Sequence, residues 1–314
     1  MTIETSQLSA QYLNKNFINK LENGQTKEAE EKGSLFLRKE IREHSIARKI
    51  LTPMDITEDE LDQSLDSDQP MKIVEKEIDT RATFVPFRGT GEHKWFYGDK
   101  YAVKFGKIET ERFSKSKFEL MTYRNDIRKY LTDNAVYDMA NQEDNKFFRL
   151  ADEAIALDAA TQEIAIPIGS GTIAEQIRNS VVAGYKRMVE KRKPLGKMVM
   201  AKSLYLEVLK LEQATVGDTV AGRHYDKGIE GEESLWGIPV VTTIKAGTSL
   251  DGNKTVIKDN EVYFMPHENF LGNFFLLQDA TLYIKQEADI FTFWSYAAPG
   301  IGIGVADSIV KCVL

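Results

Sequence analysis

Between Phe118 and Leu157 apolar residues return every three or four positions: Leu120, Tyr123, Ile127, Leu131, Ala135 and Met139, then Phe147, Leu150 and Ala154. That spacing puts them along one side of a helix. Arg124, Arg128, Asp133 and Asp138 fill the other sides. No proline or glycine interrupts the run, and a break is allowed for only at the polar patch from Asn141 to Asn145. A helix this long, apolar on one side, needs a surface laid against it, which the flanking segments should supply.

Ahead of it, residues 1–33 are polar with scattered Leu13, Phe17, Ile18 and Leu21, and read as an extended or partly helical arm or as a frayed terminus. Residues 34–51 predict a short amphipathic helix, with Leu37, Ile41, Ile46 and Ile50 near one face, Ser34 as N-cap and Pro53 preventing continuation. In residues 79–113 the pattern changes to alternation: Tyr101, Val103 and Phe105 against Ala102 and Lys104, the strand period. Gly89 to Gly91 marks one reversal, and Gly98-Asp99 a second of the glycine-first kind that two-residue hairpins favour. Arg81, Arg88, Lys94, Lys100, Lys104, Lys107 and Arg112 outnumber Glu92, Asp99, Glu109 and Glu111 there. An isolated two-stranded hairpin is marginal in water, so this one must lie on its own domain or on a neighbouring molecule.

Beyond the long helix, residues 164–171 read as a short strand and turn. A helix then opens with Thr172 and Glu175 in capping-box spacing. Its far end gathers Lys186, Arg187, Lys191, Arg192 and Lys193, which complement the helix dipole, with nucleic-acid contact as the alternative. Residues 197–216 predict a strand and a helix, and 217–233 a polar, glycine-punctuated stretch. Residues 235–244 predict a tight turn into an apolar strand. Within 261–304 three further strands are expected to form the central sheet.

With 314 residues, 42% of them hydrophobic, the chain suffices for one large or two moderate domains with a packed core. A net charge of -7 argues against a surface built throughout to grip nucleic acid. The single cysteine, Cys312, excludes an internal disulfide framework and a thiolate metal site. No apolar run reaches the roughly 20 residues of a membrane span, and the N-terminus lacks the order of a signal peptide, so a soluble protein made in the cytoplasm is expected.

Catalytic and cofactor constellations are not found. Residues 55–68 hold seven acids but no glycine for a calcium loop, and read as a solvated acidic segment. His267-Glu268 begins like a zinc-protease helix, but Leu271 stands where the second histidine belongs. His44, His93, His224 and His267 show no ligand spacing, so no metal site is assigned. Gly169-Ser170-Gly171 lacks the lysine ending of a phosphate loop, and Gly300, Gly302 and Gly304 alternate as in a strand where another backbone approaches. Glu232 and Glu233 read as solvated.

The order of parts resembles the major capsid protein of tailed bacteriophages, a fold shared with encapsulin shells. An arm, a short helix over 34–51 and an extended two-stranded loop within 55–117 come first. A spine helix with Glu143-Asp144 near its end follows, then a strand–helix unit from Lys197, the turn Leu235-Trp236-Gly237-Ile238-Pro239-Val240 and closing strands. The resemblance implies an α+β fold: arm 1–33, peripheral domain 34–54, 118–164 and 263–299, extended β-hairpin loop 55–117, and axial domain 165–262 and 300–314 around a mainly antiparallel sheet. It further implies a non-enzymatic subunit that assembles with itself into hexamers and pentamers of an icosahedral shell around double-stranded DNA, in the virion, after assembly in the host cytoplasm. Portal and decoration proteins are implied partners, and scaffolding is expected from a separate protein or from a segment already cleaved, because the first helix is expected only about thirty residues in; DNA contact is weak and a membrane is not involved. The loop would lie across an adjacent subunit through Arg81, Arg88, Lys94, Trp95, Phe96, Tyr97, Lys100, Tyr101, Lys104 and Arg112. Some relatives join subunits by a lysine–asparagine bond; Lys94, Lys100 and Lys104 are candidate lysines, whereas Asn269 and Asn273 read as turn residues. The alternatives are an encapsulin-type nanocompartment and a cytosolic α+β enzyme with a pocket near Gly169 to Thr172.

Overall fold

The computed structural model describes residues 2–63, 68–76, 84–91, 93, 95, 98–123, 126–166, 172–207, 234–235, 237–243 and 256–314. Helix α5 (Ile127–Ala156) is the expected spine, 30 residues without interruption, about 45 Å at 1.5 Å per residue. Its inner side buries Ala135, Met139, Phe147, Phe148, Ala151 and Ile155. The helix continues through Asn141 to Asn145, because Glu143 and Asp144 are not solvated there: both are fully buried against partners from elsewhere in the chain. The break falls instead between α4 (Lys117–Thr122) and α5. Asn14 serves both ends of it, its Nδ2 donating to the Tyr123 carbonyl at 3.2 Å and its Oδ1 accepting from the Ile127 amide at 3.1 Å.

The N-terminal residues are helical, not extended. Helices α1 (Thr2–Glu22) and α2 (Thr26–His44) are joined by a turn in which Gly24 has φ +80, a left-handed conformation that costs glycine nothing. Ile18 and Leu21 are buried in one cluster with Leu37, Ile41, Met139 and Phe293. Ser34 is therefore no N-cap: it lies inside α2, where its hydroxyl donates to the Glu30 carbonyl and accepts from the Leu282 amide at 2.9 Å. The stretch expected as one helix over 34–51 is divided at Ser45, which caps α3 (Ile46–Ile50) by accepting from the Arg48 amide. Pro53 opens β1 (Pro53–Asp55).

The three late strands do not share one sheet. Strands β11 (Gly272–Glu287) and β12 (Ile290–Ile303) form a long antiparallel hairpin, with β1 parallel on the outer edge of β11 and β4 (Ile108–Glu109) and β5 (Phe113–Ser116) antiparallel on β12. Strand β10 (Glu261–Pro266) sits instead in a six-stranded sheet. That sheet runs β6 (Glu163–Ala165), β13 (Val310–Val313), β10, β7 (Leu195–Ala201), β9 (Ile238–Thr243) and β8 (Ser234–Leu235). Period alone cannot assign a strand to a sheet; here β10 is claimed by antiparallel pairing with both β7 and β13. The turn from β8 into β9 falls where expected, with Gly237 at φ +82; Trp236 lies outside the described residues. Helix α7 (Ile173–Glu190), opened by the capping box of Thr172 and Glu175, covers the six-stranded sheet. Gly184 lets it approach closely, since a Cβ there would enter the Phe264 ring. Strand β7 leads into α8 (Lys202–Glu207).

Candidate functional site

The extended loop stands on a two-stranded ribbon. Strand β3 (Lys100–Lys104) pairs antiparallel with β2 (Met71–Glu75), from Met71 opposite Lys104 to Glu75 opposite Lys100. Gly98-Asp99 is consequently not a two-residue hairpin. The Lys76 amide donates to the Asp99 carbonyl at 2.7 Å, so the excursion from ribbon to ribbon runs from 77 to 98. The alternation had marked β3 but not its partner: Met71, Ile73 and Val74 lie before the stretch where composition changes. A reversal does occur at Phe87-Arg88, closed by the Gly89 amide donating to the Pro86 carbonyl.

Beyond the ribbon the loop is unsupported apolar surface. Phe84 and Phe87 are fully exposed, at 105% and 111%, and Trp95 is 76% exposed with its ring 5.4 Å from that of His93. A folded chain rarely leaves several large aromatics this bare in one segment unless another surface covers them. Of the residues expected at a contact between copies, Arg88 and Trp95 are exposed on this part of the loop. Arg81, Lys94, Phe96 and Tyr97 lie outside the described residues. Lys100 is exposed and forms an ion pair with Glu75 across the ribbon at 2.8 Å, and Lys104 is exposed. Two others are engaged within their own chain. The Tyr101 hydroxyl donates to Asn273 Oδ1 at 2.5 Å, and burial pushes that phenol up from its ordinary range. Arg112 meets Glu109 at 3.1 Å and lies over the Trp294 ring at 5.3 Å. Phe84 and Phe87 were missed as individual residues; the Pro86–Gly89 turn between alternating segments was the signal that could have marked them.

Asn273 lies in β11, not in a turn, and its amide oxygen is taken by Tyr101; Asn269 lies in a short 3-10 turn. Two buried glutamates hold opposite charge. Arg48 grips Glu143 in a two-pronged contact, Nε to Oε2 at 2.8 Å and Nη2 to Oε1 at 2.7 Å, and reaches Asp279 at 3.1 Å. Beside it Asp144 accepts from Ser45 Oγ and from the Ala47 amide. The acidic pair of the spine thus ties α3, α5 and β11 into one junction. Burial would lower the Arg48 pKa, but the hydrogen bonds and charges of Glu143 and Asp279 outweigh it and hold the pKa above the ordinary value. Glu261, the second glutamate, meets Lys311 at 2.8 Å; Lys311 also meets Asp152 of the spine, and the Tyr263 hydroxyl donates to Asp152 and Glu261. This cluster fastens α5 to the six-stranded sheet.

Elsewhere, a cleft of about 780 Å³ runs between α7 and the β8–β9 turn, lined by Val181, Val182, Tyr185 and Ile238 among others. Val182, Tyr185 and Val189 are exposed along the same helix side. A second cleft of about 620 Å³ lies between α2 and β11, where Arg38, Arg42 and Asp279 face it. Among the described residues no group of histidine, cysteine, aspartate or glutamate could hold a metal ion, and no helix is long and apolar enough to cross a membrane. Thr172 is occupied by its capping contact with Glu175, while Gly169 to Gly171 lie outside the described residues. Burial pushes the Cys312 thiol up to about 12.

No protein-family model and no curated protein matches the chain. Its fold does have solved counterparts. The virus-like particle from Pyrococcus furiosus is similar at TM-score 0.55 and 16% identity, over 91% of this chain and 99% of that one. The capsid of the Cyanophage P-SCSP1u is similar at TM-score 0.55 and 9% identity, over 86% and 88%. The mature capsid of bacteriophage PhiM1 is similar at TM-score 0.55 and 12% identity, over 86% and 87%. The chain has the α+β fold of these capsid and virus-like-particle chains across nearly its whole length.

Proposed function

We propose that the protein is a major capsid protein, which assembles with copies of itself into hexamers and pentamers of an icosahedral shell enclosing double-stranded DNA. The observation that carries this reading is the bare aromatic loop, held out on a ribbon, in a chain whose fold matches capsid chains over most of its length. Its role is structural and not enzymatic. The spine with the β11–β12 hairpin constitutes the peripheral domain, and the six-stranded sheet with α7 the axial domain. The loop lies across the next subunit, with Phe84, Phe87 and Trp95 buried there and Arg88 beside acids, as aromatics and arginine commonly anchor contacts. Arg81, Lys94, Phe96 and Tyr97 belong to the same surface. Each contact buries on the order of 1,600 Å² in total, and head-to-tail contacts of this kind close into rings. Scaffolding, portal and decoration proteins are its partners, its net charge of -7 keeps contact with the packaged DNA weak, and it resides in the virion after assembly in the host cytoplasm. A second reading, an encapsulin-type compartment, is favoured by the 91% coverage against a virus-like particle.

Replacing residues 77–98 by a two-residue Asn-Gly turn tests the loop, because Lys76 and Asp99 are already adjacent. The expected result is a soluble, folded subunit that forms no closed particles in electron micrographs. Closed shells of ordinary size from that variant refute the assignment. Nucleic acid or protein inside purified wild-type particles separates the two readings.

A further inference from the structure

The ribbon that carries the loop joins the body of the subunit along one short line. Tyr101 and Val103 of β3 and Phe105 just beyond it face, in antiparallel order, Gly304 just beyond β12 and Gly302 and Gly300 within it. A Cβ placed on Gly300 would lie 2.7 Å from Phe105 Cε1, one on Gly302 2.5 Å from Val103 Cγ2, and one on Gly304 2.6 Å from Tyr101 Cε1. None of these glycines has a positive φ, so close approach and not backbone freedom explains them. Val103 is fully buried in this contact and Phe105 nearly so. Hydrogen bonds pin both ends: Phe105 bridges Gly300 and the Gly106 amide donates to the Pro299 carbonyl, while Tyr101 donates to Asn273. Shape sets the depth between those pins. The seat from Tyr101 to Phe105 spans about 13 Å at 3.3 Å per residue.

We propose that this contact is the positioning element of the inter-subunit loop: the fit of Tyr101, Val103 and Phe105 against β12 fixes the angle at which the loop leaves the subunit, and with it the curvature of the assembled shell. The curvature clause rests on the shell reading above; the angle clause stands on this chain alone. Adding one methyl at Gly302 pushes Val103 outward and tilts the ribbon, and removing the Val103 branches makes room for that methyl.

The test uses the full chain with spin labels at Arg88→Cys and Arg149→Cys, the latter an exposed position on α5; buried Cys312 stays unlabelled. In the unassembled subunit, Gly302→Ala is expected to shift the label distance by several ångströms, and Gly302→Ala with Val103→Ala to restore it. Particles assembled from unlabelled chains that keep Arg88 and Arg149 should change diameter or fail to close with Gly302→Ala and return to ordinary diameter with Gly302→Ala and Val103→Ala together. An unchanged distance in folded Gly302→Ala protein overturns the proposal. A shifted distance with unchanged shells overturns the curvature clause. If Gly302→Ala does not fold, Val103→Ala alone decides: it should broaden the distance distribution, and an unbroadened one overturns the proposal. A wild-type chain that forms no particles defeats the shell reading, while the label distances still judge the seat.

Discussion

The junction around Arg48 and the loop around Phe87 treat awkward residues in opposite ways. At the junction the Arg48 guanidinium, Glu143 and Asp144 are taken out of water beside half-buried Asp279, and each meets a partner supplied by another part of the same chain. On the loop Phe84 and Phe87 are fully exposed and Trp95, beside the His93 ring, is 76% exposed. The first region pairs its charges within one molecule, leaving only the Arg48 Nη1 atom of the guanidinium without a hydrogen bond; the second would be covered only by another molecule. Charges are desolvated where partners of the same chain meet them, and apolar surface is left bare on the loop for which a contact between copies is proposed.

The comparison can be broken most decisively at the junction. Arg48→Leu leaves Glu143 and Asp279 without their buried countercharge, and should destabilise the isolated subunit by about 3–5 kcal/mol. Denaturant unfolding measures it, and a loss under about 1 kcal/mol would mean that the carboxylates reach water. Acid sharpens the same point at the second cluster. Burial would raise the Glu261 carboxyl, but the hydrogen bond and charge of Lys311, with Lys258, hold it below the usual carboxylate range. Burial would likewise lower Lys311, yet Glu261 and Asp152 hold its pKa above the ordinary value. A lowered carboxylate stabilises above its unfolded value, near pH 4.3, and a raised lysine below its own, near 10.4. Both contributions are present between those limits. The Glu261 share is lost as pH falls through its folded pKa, so wild type should lose more stability than Glu261→Gln between pH 5 and 3. Parallel curves for the two proteins would exclude the linkage. The smallest effect on the isolated subunit belongs to the loop: Phe84→Ser, Phe87→Ser and Trp95→Ser together should change its unfolding free energy by less than about 0.5 kcal/mol while abolishing particle formation. A large loss of subunit stability would show that these rings are covered within their own chain.

Much of the fold was legible because it rests on local periods. The spine stripe from Ala135 to Ala154, the alternation of Tyr101, Val103 and Phe105, the Thr172–Glu175 cap and the Gly237 turn each express short-range geometry. The misreadings share a cause. A polar side chain's partner can lie far along the chain: Asn14 caps a helix break more than a hundred positions away, Ser34 accepts from Leu282 instead of capping a helix, and Glu143 holds Arg48 where a break was expected. Of the candidate site, the aromatic and basic character of the loop was legible. That Tyr101 and Arg112 turn back onto their own chain was not, because Asn273 and Trp294 arrive from far along the sequence.

Alone, the order of residues determined most of the helices and strands that follow a local period, and that one segment carries exposed aromatic residues. Only the tertiary structure decided which sheet each late strand joins, where the spine breaks, and which buried charges meet. Those outcomes depend on pairing between distant residues, and a polar side chain acquires its partner, and hence its burial, only when the packed chain brings the two together.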